Sequence, residues 1–368
     1  MTPLKVLAVL AFAGLPYQAV HGLTLHDKSK TTANETWMPS LFQGFARKRV
    51  AVLTAGTMKR YMMQSTVHGL LEPLVREGHS VDYFLSLGGQ QFNAWRSAAD
   101  EFVPDPSLAG GGENALKTIV GNVSSVGANV RFAEFNSEVT LTQEEKVFVN
   151  SAQWNNFAAR ENLMKYMQRL NILGEKMEAE ESKSGAYDFV VIVKDDALWV
   201  RPFSLKRLWN NLPALPAGAS KDTPRGANLL CHIPWSTYDP GEKGFIEYIF
   251  VFERAAARPF LKQHGLLIRG AADKHANPDQ ANLLRYRSQY HDIESFSKGI
   301  AGEWGVNVTS VPPDLIPMQR GGRVRFENGS TQVCIHKQCD SCTDTIPFLE
   351  PKTVFPVCHE PWDPLRDR

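Results

Sequence analysis

The chain has 368 residues, 43% hydrophobic and 21% charged, a balance ordinary for a folded globular protein. Forty Lys and Arg against 39 Asp and Glu leave a formal charge of +1, without the basic excess by which proteins grip nucleic acid. Length alone allows one large domain or two small ones.

At the amino end Lys5 precedes an apolar run from Val6 to Leu15, then Pro16, then Val20-His21-Gly22. Positive flank, short hydrophobic stretch, breaker and small residue predict a signal peptide over 1–22, cut near Gly22. The run falls well short of the roughly twenty residues that span a bilayer, although an uncleaved anchor or a buried amphipathic start would read similarly. No later stretch is long and apolar enough to span, so no stable membrane span is expected after cleavage. Residues 23–46 are polar and read as a stem. Sequons at Asn34, Asn122, Asn307 and Asn328 agree with the secretory pathway of a eukaryotic host, in the ER or Golgi lumen or secreted.

The folded domain is expected over 47–325. Val50-Ala51-Val52-Leu53 predicts a strand buried on both faces, and Thr54-Ala55-Gly56-Thr57 a turn. A helix follows from about Tyr61 to Arg76, with Leu70, Leu71, Leu74 and Val75 as its apolar face and Gly78 closing it. Val81 to Leu87 is the next strand. Strand, helix, strand is a unit of a parallel sheet. Residues 88–128, rich in Gly, Pro, Asn and Ser, read as a long insertion or surface loop. Asn129 to Phe135 predicts a third strand, and Gln143 to about Lys183 is helical, with Leu163, Met167, Leu170 and Met177 at three- and four-residue steps. The methionines there read as core filling.

Phe189-Val190-Val191-Ile192-Val193 is the clearest strand, and it terminates in Lys194-Asp195-Asp196. Arg201-Pro202-Phe203 starts a turn and a short helix to Leu212. Apolar runs follow at Ala227 to Ile233 and Tyr248 to Phe252, then helices from Ala255 to Gln263 and from Pro278 to Tyr290. No internal repeat is visible. The tail, 326–368, holds Cys334, Cys339, Cys342 and Cys358. In an oxidising compartment they predict two disulfides, in any of three pairings, with Cys231 left as a buried thiol. His336 and His359 leave zinc as the rival reading, and a zinc-stabilised tail would suit a partner-binding module.

Ligands of an open parallel sheet gather at the carboxyl ends of its strands. Two stretches lie there: Thr54 to Arg60, and Lys194 to Asp196. Gly56 permits close backbone approach, and Lys59 and Arg60 are placed to face phosphates. A nicotinamide site is excluded by the missing GxGxxG and by Asp82, which stands near the start of its strand; no GxxxxGK is present either. Adjacent Asp195 and Asp196 repel each other and lose hydration at a strand end, a cost a hard divalent cation relieves; a solvated pair capping the next turn is the alternative. No GxSxG is present. Cys231 and His232 alternate across a strand and so point apart. Trp235 and Tyr238, with Asp239, suit stacking on a sugar or plain packing, and Glu247 and Asp279 suit acceptor-side bases.

Three segments together resemble glycosyltransferases of the GT-A fold, particularly uncharacterised eukaryotic secretory-pathway members. These are Val50 through Leu87; the helix leading to Gly185, Tyr187-Asp188-Phe189 and Lys194-Asp195-Asp196; and Asn277-Pro278-Asp279-Gln280 opening a helix with Leu283 and Leu284. The resemblance covers residues 47–320. It implies an α/β, Rossmann-like, mostly parallel sheet flanked by helices, followed here by a Cys-rich tail. It also implies Mn²⁺ or Mg²⁺ held at Asp196, with Asp195 in a variable place, and a UDP- or GDP-linked donor lined by Thr54, Gly56, Arg60 and Lys194. The acceptor would be a glycan or a protein. Two positions depart from the pattern: Leu198 replaces a second aspartate, and Lys194 stands where Arg is usual. A non-catalytic sugar-binding or interaction protein on the same fold is the alternative.

Overall fold

The structure, a computed structural model, describes residues 46–88, 103–108, 111–136, 139–151, 157–229, 249–269, 293–325 and 331–335. The chain divides into two units, Met1–Phe45 and Ala46–Arg368, and the described residues all belong to the second. The expected signal peptide, almost all of the stem, most of the Cys-rich tail and the helix at 278–290 lie outside them.

Strands β1 (Arg49–Thr57), β2 (Ser80–Gly88), β3 (Asn129–Asn136) and β4 (Phe189–Lys194) pair in parallel, with β1 between β2 and β4. β6 (Arg225–Leu229), β7 (Ile249–Glu253) and β8 (Asn307–Val311) extend the sheet to the order β3-β2-β1-β4-β7-β6-β8. β7 runs against both β4 and β6, while β6 and β8 are parallel. The sheet is therefore mixed and mostly parallel, as expected. β5 (Ala197–Trp199), β9 (Met318–Arg325) and β10 (Thr331–Ile335) form a second, three-stranded sheet.

Helices cover both faces of the large sheet. On one face lie α1 (Met63–Thr66), a π-helical turn (Val67–Leu71), α2 (Glu72–Arg76), α3 (Gly112–Ser125) and α6 (Leu205–Asn210). On the other lie α4 (Gln143–Ser151), α5 (Phe157–Ser184), α7 (Arg254–Leu261), α8 (Gln263–Arg269) and α9 (Ile293–Glu303). The α5 face is apolar by alternation: Ala51, Leu53 and Ala55 of β1 and Val190 and Ile192 of β4 pack with Leu170, Leu173, Met177, Phe250, Phe252 and Phe260. Among the described residues no helix is long and apolar enough to cross a membrane.

Some expectations are corrected. The turn expected at Thr54–Thr57 is strand, because each of these residues still pairs with β2. The loop expected over 88–128 contains α3, whose buried face is Ala115, Ile119 and Val123 at four-residue steps. The helix expected from Gln143 to Lys183 is two, α4 and α5. The one expected from Tyr61 begins at Met63 and contains the π-helical turn.

At the amino edge of the sheet the connections into β2 and β4 are short. Gly78 and Gly185, with φ of 86° and 91°, end α2 and α5 in the left-handed conformation that lets the chain double back into a strand. Buried Asp82 knits this edge together, accepting from Arg49 Nη2 at 2.8 Å, Arg131 Nε at 2.9 Å and Tyr187 Oη at 2.8 Å. It lies at the opposite end of β2 from the candidate site, which agrees with its exclusion as a ribose ligand.

Candidate active site

The chain runs from β1 outward through β2 to β3, then returns across β1 to form β4. Strand order reverses between β1 and β4, and the carboxyl ends flanking such a switch point leave a crevice in which ligands bind. The residues at those two ends are Gly56-Thr57 and Lys194-Asp195-Asp196.

Asp195 and Asp196 are 1% and 2% exposed. Backbone bonds hold the turn they form: Met62 N–H donates to the Asp195 carbonyl and Gly321 N–H to that of Asp196, both at 2.9 Å. Asp195 Oδ2 accepts from the Thr57 amide at 2.7 Å and from Thr57 Oγ1 at 3.0 Å. Arg60, on the turn after β1, donates to Asp195 Oδ1 at 3.2 Å and to Asp196 Oδ2 at 3.5 Å. Burial is the largest influence on Asp195 and raises its carboxyl above the ordinary value; Arg60 opposes the rise and Asp196 adds to it. A Cβ on Gly56 would lie 2.1 Å from Asp195 Cγ, so the aspartate fits only because that position is glycine.

The other candidates fall as follows. Thr54 is fully buried within β1, facing Tyr83, whose phenol bonds that of Tyr61 at 2.7 Å. Lys194 turns toward α5, its Nζ 5.1 Å from the centre of the Tyr166 ring. Leu198 is 3% exposed in β5, directly after the aspartate turn. Glu247, Asp279, Trp235, Tyr238 and Cys231 lie outside the described residues.

One residue escaped the sequence reading. Arg169, on α5, is only 2% exposed and donates from Nη1 to Ser86 Oγ at 3.2 Å. Burial lowers its pKa, and the negative charges of Glu134 and Asp195 oppose that shift. In sequence it is one more charged residue on a helix. The signal lay in the strands: Ala55, Ser86 and Gly88, all small, stand on the α5 face of β1 and β2 and leave room for a guanidinium.

Among the described residues no cluster of three or more His, Cys, Asp or Glu side chains forms a self-sufficient metal cage. The donor set nonetheless suits Mg²⁺ or Mn²⁺ shared with a ligand, because such ions take one or two carboxylates and complete their shell with phosphate oxygens and water. Two buried carboxylates beside the switch point of the sheet meet that requirement.

No family model and no curated protein matches this sequence. Several solved structures align with part of it. A galactosyltransferase, LgtC, bound to donor and acceptor sugar analogues aligns at TM-score 0.34 and 12% identity, over 71% of this chain and 73% of the other. Mouse xyloside xylosyltransferase 1 aligns at 0.35 and 10%, over 71% and 85%. A nucleoside-diphosphate-sugar pyrophosphorylase from Vibrio cholerae aligns at 0.34 and 7%, over 72% and 93%. Likenesses this distant assign no chemistry. The chemistry rests on the chain's own residues.

Proposed function

We propose that this protein is a glycosyltransferase that moves a sugar from a UDP- or GDP-linked donor to a glycan or protein acceptor. The observation that carries the reading is the buried Asp195–Asp196 pair at the switch point of the sheet, faced by Arg60. Asp196, with Asp195 beside it, would hold Mn²⁺ or Mg²⁺, whose charge would stabilise the departing nucleoside diphosphate. Arg60 sits 31% exposed between the carboxylates and solvent, placed to meet a phosphate. Gly56 makes room for the Asp195 carboxylate at the β1 end, so its part is to seat that aspartate, with Thr54 buried behind it as support. Lys194 and Arg169 add positive charge on the α5 side. Glu247 or Asp279 would take the acceptor proton. The sequence over 1–22 and the sequons support a lumenal or secreted setting.

One observation favours a second reading. Leu198 is buried where a second metal-binding aspartate would stand, which suits a non-catalytic sugar-binding or interaction protein on the same scaffold. Calorimetric titration of the signal-free protein with UDP and GDP, with and without Mn²⁺, tests the first reading. Binding that needs Mn²⁺ and disappears in an Asp195→Ala/Asp196→Ala variant supports it. A folded wild-type protein that binds neither nucleotide excludes it.

A further inference from the structure

The strand register sets Glu134 of β3 opposite Ser86 of β2, Ser86 opposite Ala55 of β1, and Ala55 opposite Lys194 of β4. Residues in one lateral row of a parallel sheet share a face, and Ala55 packs on the α5 side. Glu134, Ser86 and Lys194 therefore stand on the face that α5 covers, the face Arg169 enters. Arg169 Nη1 lies 3.2 Å from Ser86 Oγ, and Ser86 Oγ lies 2.8 Å from Glu134 Oε1.

The order of donation along this chain has one solution. A guanidinium only donates, and a hydroxyl has a single proton. Ser86 accepts from Arg169 and directs its own proton to the Glu134 carboxylate. The second guanidinium nitrogen sits further along the strand: a Cβ on Gly88, the last residue of β2, would lie 2.7 Å from Arg169 Nη2. One nitrogen is thus fixed inside the sheet while the other reaches the carboxyl edge, on the side where Asp195 acts on it.

We propose that Glu134, acting through Ser86, is a positioning residue for Arg169, keeping the guanidinium in the slot above Gly88 so that it meets the bound nucleotide-sugar. This rests on the nucleotide-sugar reading above. A carboxylate at the far end of the chain polarises the serine and fixes its rotor, and such hydrogen-bonded chains are stronger than their isolated pairs. Without it the hydroxyl is released to turn, and the bond it accepts from the guanidinium loosens.

A double-mutant cycle tests this by calorimetry, using whichever of UDP or GDP binds the wild-type protein with Mn²⁺. Glu134→Gln and Arg169→Met are measured singly and together, Ser86→Ala breaks the chain while keeping both charged groups, and thermal melting checks each fold. Arg169→Met is expected to weaken binding about tenfold, and Glu134→Gln and Ser86→Ala about three- to tenfold, in line with loss or loosening of one charge-assisted bond. Adding Glu134→Gln to Arg169→Met is expected to cost nothing more, because Glu134 acts only through that guanidinium. Additive losses, or undiminished binding by folded Glu134→Gln and Ser86→Ala proteins, overturn this inference and leave the nucleotide-sugar reading standing. A wild-type protein that binds neither nucleotide overturns both.

Discussion

The carboxyl group of Asp195 fills the space in which a side chain on Gly56 would begin, its Cγ 2.1 Å from where that Cβ would stand. The Thr57 amide fixes the carboxylate from the same strand at 2.7 Å, so it has little room to retreat. Gly56→Ala is expected to lower stability by about 1–3 kcal/mol, the usual cost of overpacking a tight site. It should also abolish Mn²⁺-dependent nucleotide binding. Denaturant unfolding and calorimetry check the two effects, and a variant that keeps wild-type binding would show that the aspartate turn moves freely.

Arg60 and a divalent cation answer the same need, since either offsets the buried aspartates. In the absence of metal, Arg60→Met is expected to reduce stability by about 2 kcal/mol, less than the full cost of breaking a buried pair because the guanidinium is partly solvated. Millimolar Mn²⁺ should then raise the melting temperature of the variant more than that of the wild type. Equal shifts in both proteins would separate Arg60 from the metal.

Acid stability should depend on Asp82. Burial alone would raise its carboxyl, but hydrogen bonds from Arg49, Tyr187 and Arg131 outweigh that and hold it below the ordinary value. The unfolded chain takes up this proton first, near pH 4, so the stabilisation is complete above that pH and is lost as pH falls through the lowered native value. Glu145 and Glu181 are lowered too and contribute to the same slope. Asp82→Asn should lose about 3 kcal/mol at pH 7 and show a shallower decline below pH 4, measured by urea unfolding across pH. Parallel pH profiles for the two proteins would assign the acid sensitivity elsewhere.

A stabilising change is expected on α3. Gly121 lies within this helix, and a Cβ there meets nothing within 4 Å. Gly121→Ala should raise stability by about 0.5–1 kcal/mol by reducing the freedom of the unfolded chain and favouring the helix. An unchanged or lower unfolding midpoint would count against helix at this position.

Sequence made β2 and β4 legible because their buried runs are continuous, and the edge strand β3 legible by its alternating Val130, Phe132 and polar neighbours; all three fall within about two residues of expectation. The aspartate pair was legible as a charge anomaly at the end of such a run. α3 was not, because its Gly, Asn and Ser content masks an apolar face only Ala115, Ile119 and Val123 deep. The extension of β1 through Thr57 was hidden because Gly56 resembles a turn when its opposing side chain, Asp195, is 139 residues away and unseen. Arg169 needed the register itself, since nothing local to Gln168-Arg169-Leu170 distinguishes a slotted guanidinium from a solvated one.

The reversed direction of β7 has one more consequence. Leu229 ends β6 and Ile249 begins β7 on the same edge of the sheet as Lys194, since Asn228 pairs with Phe250 and Val193 with Ile249. β2 also gives up its last residue, Gly88, at that edge. Leu229, Ile249 and Gly88 thus end or begin their strands at the rim that also carries Asp195 and Asp196. The opposite rim is where Asp82 ties the starts of β1, β2, β3 and β4 through Arg49, Arg131 and Tyr187. The residues proposed to bind and those that tie the strands at their start thus sit at opposite ends of the same strands, so a change that alters one need not disturb the other.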